Sequence, residues 1–372
     1  MIDISYNEYY NKVLGSWIGR VVGDFVGAPV ELKNVDIIKQ KYGNIIDFPE
    51  PIDLNYVNDD EMYEIVALIT LEKKGINLTA EDIAREWINL LNREDYVFTA
   101  EKIALNNLKE NIFPPKSGIL NNFYYDFIGA QMRADIWGQI SPGCPEIAKN
   151  YAQMDGSISH AGIGIEGEIF VAVLISQAFF ETEIRKNIEK ALEYIPPEET
   201  SLYTQMIRMA INLYEQNPKN FRKARDLLIN QYWRGEIVGQ LIGNSKNFPI
   251  ERRIMLNTRI GGVHVLPNIG IIILSLLYGA NDKEDPLGRS VCVAAMMGLD
   301  TDCNCGNIGA ILGVQIGADN IPLKWKEPIS DTFSTYVKGY EKWKISDLAQ
   351  RIATIGDNVI NEKGSNFVKI SK

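Results

Sequence analysis

Gly298-Leu299-Asp300-Thr301-Asp302-Cys303-Asn304-Cys305-Gly306-Asn307-Ile308-Gly309-Ala310 is the stretch on which the reading of the fold turns. It opens as a short polar turn with carboxylates at i and i+2. It then runs into Asn307-Ile308-Gly309-Ala310-Ile311-Leu312-Gly313-Val314, where nothing breaks a helix more strongly than glycine. Gly306, Gly309, Ala310, Gly313 and Gly317 recur at steps of three and four. One side of this helix is therefore nearly bare, which suits the close approach of a second helix. Asp300 and Asp302 fall at its buried N-terminal end. Carboxylates suit a helix N-terminus, but burying two of them calls for a cation. Oxygen ligands without histidine point to Mg²⁺, Mn²⁺ or Ca²⁺. Alone, an Asp-Thr-Asp is more often the solvated cap of an ordinary helix. A second cluster decides the matter.

That cluster is Asn58-Asp59-Asp60-Glu61, followed by Met62, Ile65, Val66 and Ile69 at helical spacing and closed by Gly75. Asn58 or Asp59 serves as N-cap, with Asp60 and Glu61 in the first turn. Neither acidic cluster is balanced by lysine or arginine nearby in sequence. If the two helix starts converge, their four aspartates need roughly two divalent ions. Convergence also puts residues near 59 and near 300 in one domain. We therefore read residues 1–372 as a single domain, although 372 residues by length suggest two.

Helical patterns dominate the rest. Tyr9 to Val22 is amphipathic, with Gly15, Gly19 and Gly23 one turn apart, the mark of close packing on another small-residue helix. Gly23 to Glu31 ends it, Pro29 blocking continuation. Glu31 follows a Gly-Ala-Pro turn and lies either in a surface loop or at the edge of a site. Lys33 to Val57 reads as irregular, with Gly43-Asn44-Ile45-Ile46 a short extended piece. Helices are expected from a Thr79 cap to Leu91, from Thr99 to Leu108, from Pro145 to Asp155, and from Gly164 to Phe180. Glu181 to Ile260 reads as amphipathic helices broken at Pro196-Pro197 and Asn217-Pro218. Ile269–Tyr278 and Asp285–Met297 are buried helices. The tail, Ile321 to Ile355, holds loops around Pro322 and Pro328 and a final helix. Ile128 to Gly138 is a ligand-wrapping loop or a plain helix–loop junction. Strand alternation is absent, so the fold class is all-α.

Composition excludes several functions. A net charge of −10 with no Lys/Arg run argues against nucleic-acid binding. Cys144, Cys292, Cys303 and Cys305 show no CxxC pair and read as reduced thiols of a cytoplasmic protein. The N-terminus shows no signal peptide. The longest apolar run, Ile269 to Ala280, is too short to span a bilayer.

From Tyr9 to Ile355 the chain resembles the ADP-ribosylglycohydrolase family, the kind that includes dinitrogenase reductase-activating glycohydrolase. The family's opening Gly-Asp-x-x-Gly-x-x-x-Glu stands here as Gly23-Asp24-Phe25-Val26-Gly27-Ala28-Pro29-Val30-Glu31. Its Thr-Asp-Asp-Thr motif matches Asn58-Asp59-Asp60-Glu61, with both threonines replaced. Gly129-Ala130-Gln131-Met132-Arg133 matches its Gly-x-x-Met-Arg loop, Ser159-His160 its Ser-His element, and Asp300-Thr301-Asp302-Cys303 its Asp-Thr-Asp-Thr motif.

The resemblance implies a compact, orthogonal helical bundle that holds two Mg²⁺ (or Mn²⁺) ions. It implies Asn58, Asp59, Asp60, Asp300, Asp302 and Cys303 around the metals. Glu31 or Asp60 would align or deprotonate water, and Gly129, Gln131, Met132, Arg133, His160 and Gly162 would line the substrate side. Asn58 and Cys303 stand where the family has threonines, and thiolate is a poor partner for Mg²⁺. The activity implied is hydrolysis of the bond between ADP-ribose and its acceptor, a protein side chain or small molecule. The alternatives are a hydrolase of a small nucleoside or N-ribosyl metabolite, and a non-catalytic binder of an ADP-ribose-like ligand. All four aspartates and Glu31 are retained, which disfavours the last.

Overall fold

Two helices face to face along their glycines form the axis of the molecule. The computed structural model describes residues 1–234 and 262–372. Its first helix runs Tyr6–Gly27, and the central helix runs Thr301–Ile316. They pack along most of their length. Gly15 meets Gly313, Gly19 meets Gly309, Gly23 meets Cys305 and Gly27 meets Thr301 and Asp302, backbone against backbone. A Cβ at any of these glycines would collide with the opposite main chain. The two bare stripes are thus the halves of one interface.

The central helix is buried from Thr301 to Val314, so other helices must cover its remaining faces. Pro286–Met297, Val265–Gly279 and Ile163–Ala178 do so. These helices are apolar nearly all round, as a fully buried helix must be. Each fully buried Val, Leu, Ile or Phe in this core contributes about 1.5–3 kcal/mol relative to exposure. Ile345–Val359, an amphipathic helix, packs on the first helix from outside. No described helix is long and apolar enough to cross a membrane.

The fold is all-α, and three details differ from the sequence expectation. The first helix continues past Val22 to Gly27, because glycines facing a partner backbone cost the helix less than the contact returns. Pro29 sits in the 3₁₀ turn Ala28–Val30 that follows. Val35–Tyr42, expected to be irregular, is a helix capped by the Asn34 side chain, and Gly43-Asn44-Ile45-Ile46 is no strand. Short strands do exist: Ile2–Ser5 pairs in parallel with Val368–Ser371, and Thr332–Ser334 pairs antiparallel with Lys342–Lys344. At three or four residues they are too brief to show alternation. The central helix starts at Thr301, with Asp300 as its N-cap, so the two aspartates stand at its N-terminal end as expected. Helices Ile184–Ala191, Leu202–Gln216 and Phe221–Arg234 lie where amphipathic segments were expected. The part of that expectation from 235 to Ile260 lies outside the described residues.

Candidate active site

The Asp300 turn is built by strained backbone. Gly298 and Leu299 both have positive φ, 74° and 72°, and Leu32 across from them has φ 50°. Two non-glycine residues in this region cost about 1–3 kcal/mol each. They are tied together by the Leu32 N–H donating to the Leu299 carbonyl at 2.8 Å. This bond brings Glu31 beside the aspartates. Thr301 Oγ1 donates to the Gly27 carbonyl at 2.8 Å, joining the end of the first helix to the start of the central one. Asn268 Oδ1 accepts from the Asp300 N–H at 3.2 Å and from Asn304 Nδ2 at 2.8 Å. Asp59 stands at the N-cap of the Asp60–Lys74 helix without capping it, so its carboxylate is available to the site.

These pieces border a cavity of about 720 Å³. Glu31, Asn58, Asp59, Asp300, Asp302 and Cys303 form an acidic wall. Tyr56, Tyr96, Phe98, Tyr124, Phe127, Ile128 and Met132 form an aromatic and apolar one, with Glu101, Lys102 and Gly129 between. The two acidic clusters, some 240 residues apart in sequence, therefore meet.

Asp300, Asp302 and Cys303 each offer a ligand atom, all within 4.8 Å of one another. Asp302 Oδ1 is buried without a hydrogen-bond partner, as is Asn58 Nδ2. Burial pushes the carboxyls of Asp59 and Asp300 well above the usual range, and neighbouring carboxylates, Asp302 foremost, push them further. Burial also raises Asp60, although Arg20 pulls it back. Asp302 is raised chiefly by burial. So much buried negative charge is what a divalent cation would offset. The oxygen donors fit a hard ion; Cys303 departs from that chemistry.

Not every expected residue belongs to this cavity. Gly129 and Met132 line it; Gln131, Arg133, His160 and Gly162 do not. Arg133 was expected on the substrate side, but its five N–H donors are all engaged in protein bonds. Nε donates to Asp155 Oδ2 at 2.7 Å, Nη1 to Glu101 Oε1 at 3.0 Å and the Gly129 carbonyl at 3.4 Å. Nη2 donates to the Asp155 carbonyl and to Ser159 Oγ. Gln131 is fully buried and accepts from the Tyr203 hydroxyl at 2.7 Å. His160 is buried, with Nδ1 2.8 Å from Ser159 Oγ, and burial holds its pKa well below the ordinary histidine value. Gly162, at φ 55°, starts the Ile163–Ala178 helix and borders a separate surface depression. Asp60 also lies behind the acidic wall. Its Oδ2 is 2.9 Å from Arg20 Nη1, and Cys303 Sγ is 3.3 Å from its Oδ1.

Arg20 is the counter-ion that local sequence did not show. Fully buried, it donates to Asp60, to Asp135 Oδ2 at 2.8 Å and to the Met132 carbonyl at 2.7 Å. A Cβ at Gly306 would collide with its guanidinium, so that glycine makes the room it occupies. Glu101 was missed as well. It touches the cavity on one side and Arg133 on the other, with Gly129 pressed against its carboxylate. A charged residue in the middle of a glycine-striped apolar helix was the one available signal for Arg20.

A profile of the ADP-ribosylglycohydrolase family matches residues 5–359, and the chain belongs to that family. It is accordingly a glycosidic-bond hydrolase. An uncharacterized protein of Archaeoglobus fulgidus is 25% identical over 322 residues, 84% of this chain and 90% of the relative. The ADP-ribosylhydrolase ARH3 of Xenopus tropicalis is 24% identical over 338 residues, 85% of this chain and 90% of that one. The solved structure of an ADP-ribosylglycohydrolase-related protein complex superposes with a TM-score of 0.59 at 14% identity. The superposition covers 94% of this chain and 99% of that one, and shows the fold.

Proposed function

We propose that the chain is a metal-dependent hydrolase that cleaves the bond between the anomeric carbon of an ADP-ribosyl group and its acceptor. The observation that carries the reading is the convergence of Asp59, Asp300 and Asp302 on one cavity wall, with a buried Asp302 oxygen left unpartnered. Asp59, Asp300 and Asp302 would hold a divalent centre, a pair of ions as the resemblance implies, with Asn58 and Asp60 at its margins. Such ions supply positive charge for sugar hydroxyls and acidify a bound water.

Glu31 holds or moves the proton of the attacking water. It reaches the acidic wall from the turn after the first helix, so it can face the anomeric carbon as positive charge grows there. The aromatic wall offers flat surfaces for a base or a planar leaving group. Exclusion of water by this wall strengthens the charge interactions inside. The residues work as one domain, and four buried free cysteines suit a cytoplasmic setting.

A second reading, hydrolysis of a small N-ribosyl metabolite, is favoured by Arg133. Its five donors are taken by protein acceptors, so none is left for a diphosphate. The deciding experiment is a panel of ADP-ribosylated arginine, ADP-ribosylated serine and unphosphorylated N-ribosides, assayed with Mg²⁺ and Mn²⁺ and after chelation. Turnover of the ADP-ribosylated substrates that disappears on chelation supports the first reading; turnover of the N-ribosides alone supports the second. Full activity in chelator would overturn the metal dependence.

A further inference from the structure

The acidic wall has a sulfur corner. Cys303 is 5% exposed, and its Sγ lies with the carboxylates of Asp300 and Asp302 in one group of potential ligand atoms no more than 4.8 Å apart. Ligands of one tetrahedral Zn²⁺, with bonds of about 2.3 Å to sulfur and 2.1 Å to oxygen, sit about 3.6 Å from each other. Small side-chain adjustments suffice to reach that. Asp302, whose carboxylate belongs to this group, has one oxygen, Oδ1, buried and without a hydrogen-bond partner. A second soft atom stands behind, Met132 Sδ at 3.7 Å from Cys303 Sγ. A thiol placed there only to fill space has no need of two carboxylates in front of it.

We propose that Cys303 is a thiolate ligand, with Asp300 and Asp302, to one divalent ion, and that it shifts this centre toward borderline cations such as Zn²⁺, Fe²⁺ or Co²⁺ and away from Mg²⁺. The inference rests on the reading that these carboxylates bind metal. On binding, the S–H bond breaks, its electron pair forms the sulfur–metal bond and the proton leaves for water. Asp60 Oδ1, 3.3 Å from the sulfur, is the first acceptor on that route. Thiolate raises the affinity for softer ions much more than for Mg²⁺, which prefers oxygen and holds its water shell. Met132 covers the sulfur on one side.

The test uses the full chain, stripped of metal with a chelator, and Co²⁺ as a coloured probe. Wild type is expected to show a sulfur-to-cobalt charge-transfer band that is absent from Cys303→Ser and Cys303→Thr. By calorimetry, the Zn²⁺ to Mg²⁺ affinity ratio should fall roughly 10–100-fold in Cys303→Thr, the scale on which changes around a metal act. Asp302→Asn should weaken Co²⁺ binding and dim the band with it. Co²⁺ binding to wild type without the band, or an unchanged ratio in Cys303→Thr, overturns the ligand role while leaving the metal centre standing. A band that survives in Cys303→Ser comes from another cysteine and overturns it equally. Absence of any divalent binding to wild type overturns the metal reading, and this inference falls with it. If neither variant folds, a wild-type cobalt spectrum without the band still overturns the ligand role, and a band kept by Cys144→Ser, Cys292→Ser and Cys305→Ser supports it.

Discussion

Gly19 and Gly309 lie against each other so closely that a methyl group on either would enter the backbone of the other. This contact sets the spacing of the two helices that carry the site. The first helix delivers Arg20 and the Glu31 turn, and the central helix delivers Asp300, Asp302 and Cys303. The geometry of the candidate site is thus coupled to a packing contact about two helical turns away.

Gly309→Ala should therefore destabilise the protein by about 1–3 kcal/mol or more, the range for forcing added volume into a packed core. Chemical denaturation measures the loss. Ala310→Gly, on the same helix but creating no clash, should cost less, by about 1 kcal/mol of helix propensity plus the lost methyl contacts. Equal costs for the two variants would mean that the helices separate without penalty.

Arg133→Lys should lower stability while leaving the KM for the preferred substrate unchanged. The substitution leaves Asp155, Glu101 and Ser159 short of donors that one ammonium cannot replace. Hydrogen bonds to charged groups are worth about 1.5–3 kcal/mol each. A raised KM with an unaltered melting temperature would return Arg133 to the ligand side.

Metal-free protein should lose stability as pH rises from about 5 to 7. Burial raises the Glu101 carboxyl from 4.5 to about 7, and that of Asp135 from 3.8 to about 6, despite Arg133 and Arg20 beside them. A carboxyl whose pKa is higher folded than unfolded holds its proton more tightly in the native state. The stability this brings is complete below the unfolded pKa values and is lost as pH passes through 6 to 7. Thermal melts in chelator across this range should show the fall, and Glu101→Gln should flatten it. A melting temperature that rises over the same range would contradict the burial of these carboxyls.

Glu31→Gln should reduce kcat by about 10²–10⁴-fold, the usual contribution of a general base. It should keep the increase in melting temperature produced by added Mn²⁺, which follows from ligand binding to the native state alone. Unreduced kcat would remove Glu31 from the chemistry. Loss of the Mn²⁺ effect would make it a metal ligand instead.

Much of the candidate site was legible in the sequence. Asp59, Asp300 and Asp302 announce themselves as acid pairs at the starts of apolar helices, and each lines the cavity. Glu31 was visible as a carboxylate just past a Gly-Ala-Pro turn. Arg133 and His160 lie outside the cavity, because a motif marks residue types whereas the direction of a side chain depends on what surrounds it. Both point into a buried network with Ser159, whose hydroxyl bonds to each. Glu101 gave no signal, since a glutamate in the first turn of a helix is ordinary.

By itself, the sequence determined the helical class, the glycine-lined helix pair and the acidic helix starts. These are local properties, written in steps of three and four residues and in the chemistry of caps. Only the tertiary structure decided which charges are neighbours. Arg20 meets Asp60 and Asp135, and Arg133 meets Glu101 and Asp155, across 22 to 115 residues of chain. It also decided that Ile2–Ser5 pairs with Val368–Ser371 and that Cys303 shares a corner with two aspartates. Burial turns those neighbours from solvated charges into obligatory partners, because in a dry interior an unpaired charge costs several kcal/mol. No periodicity along the chain encodes that pairing.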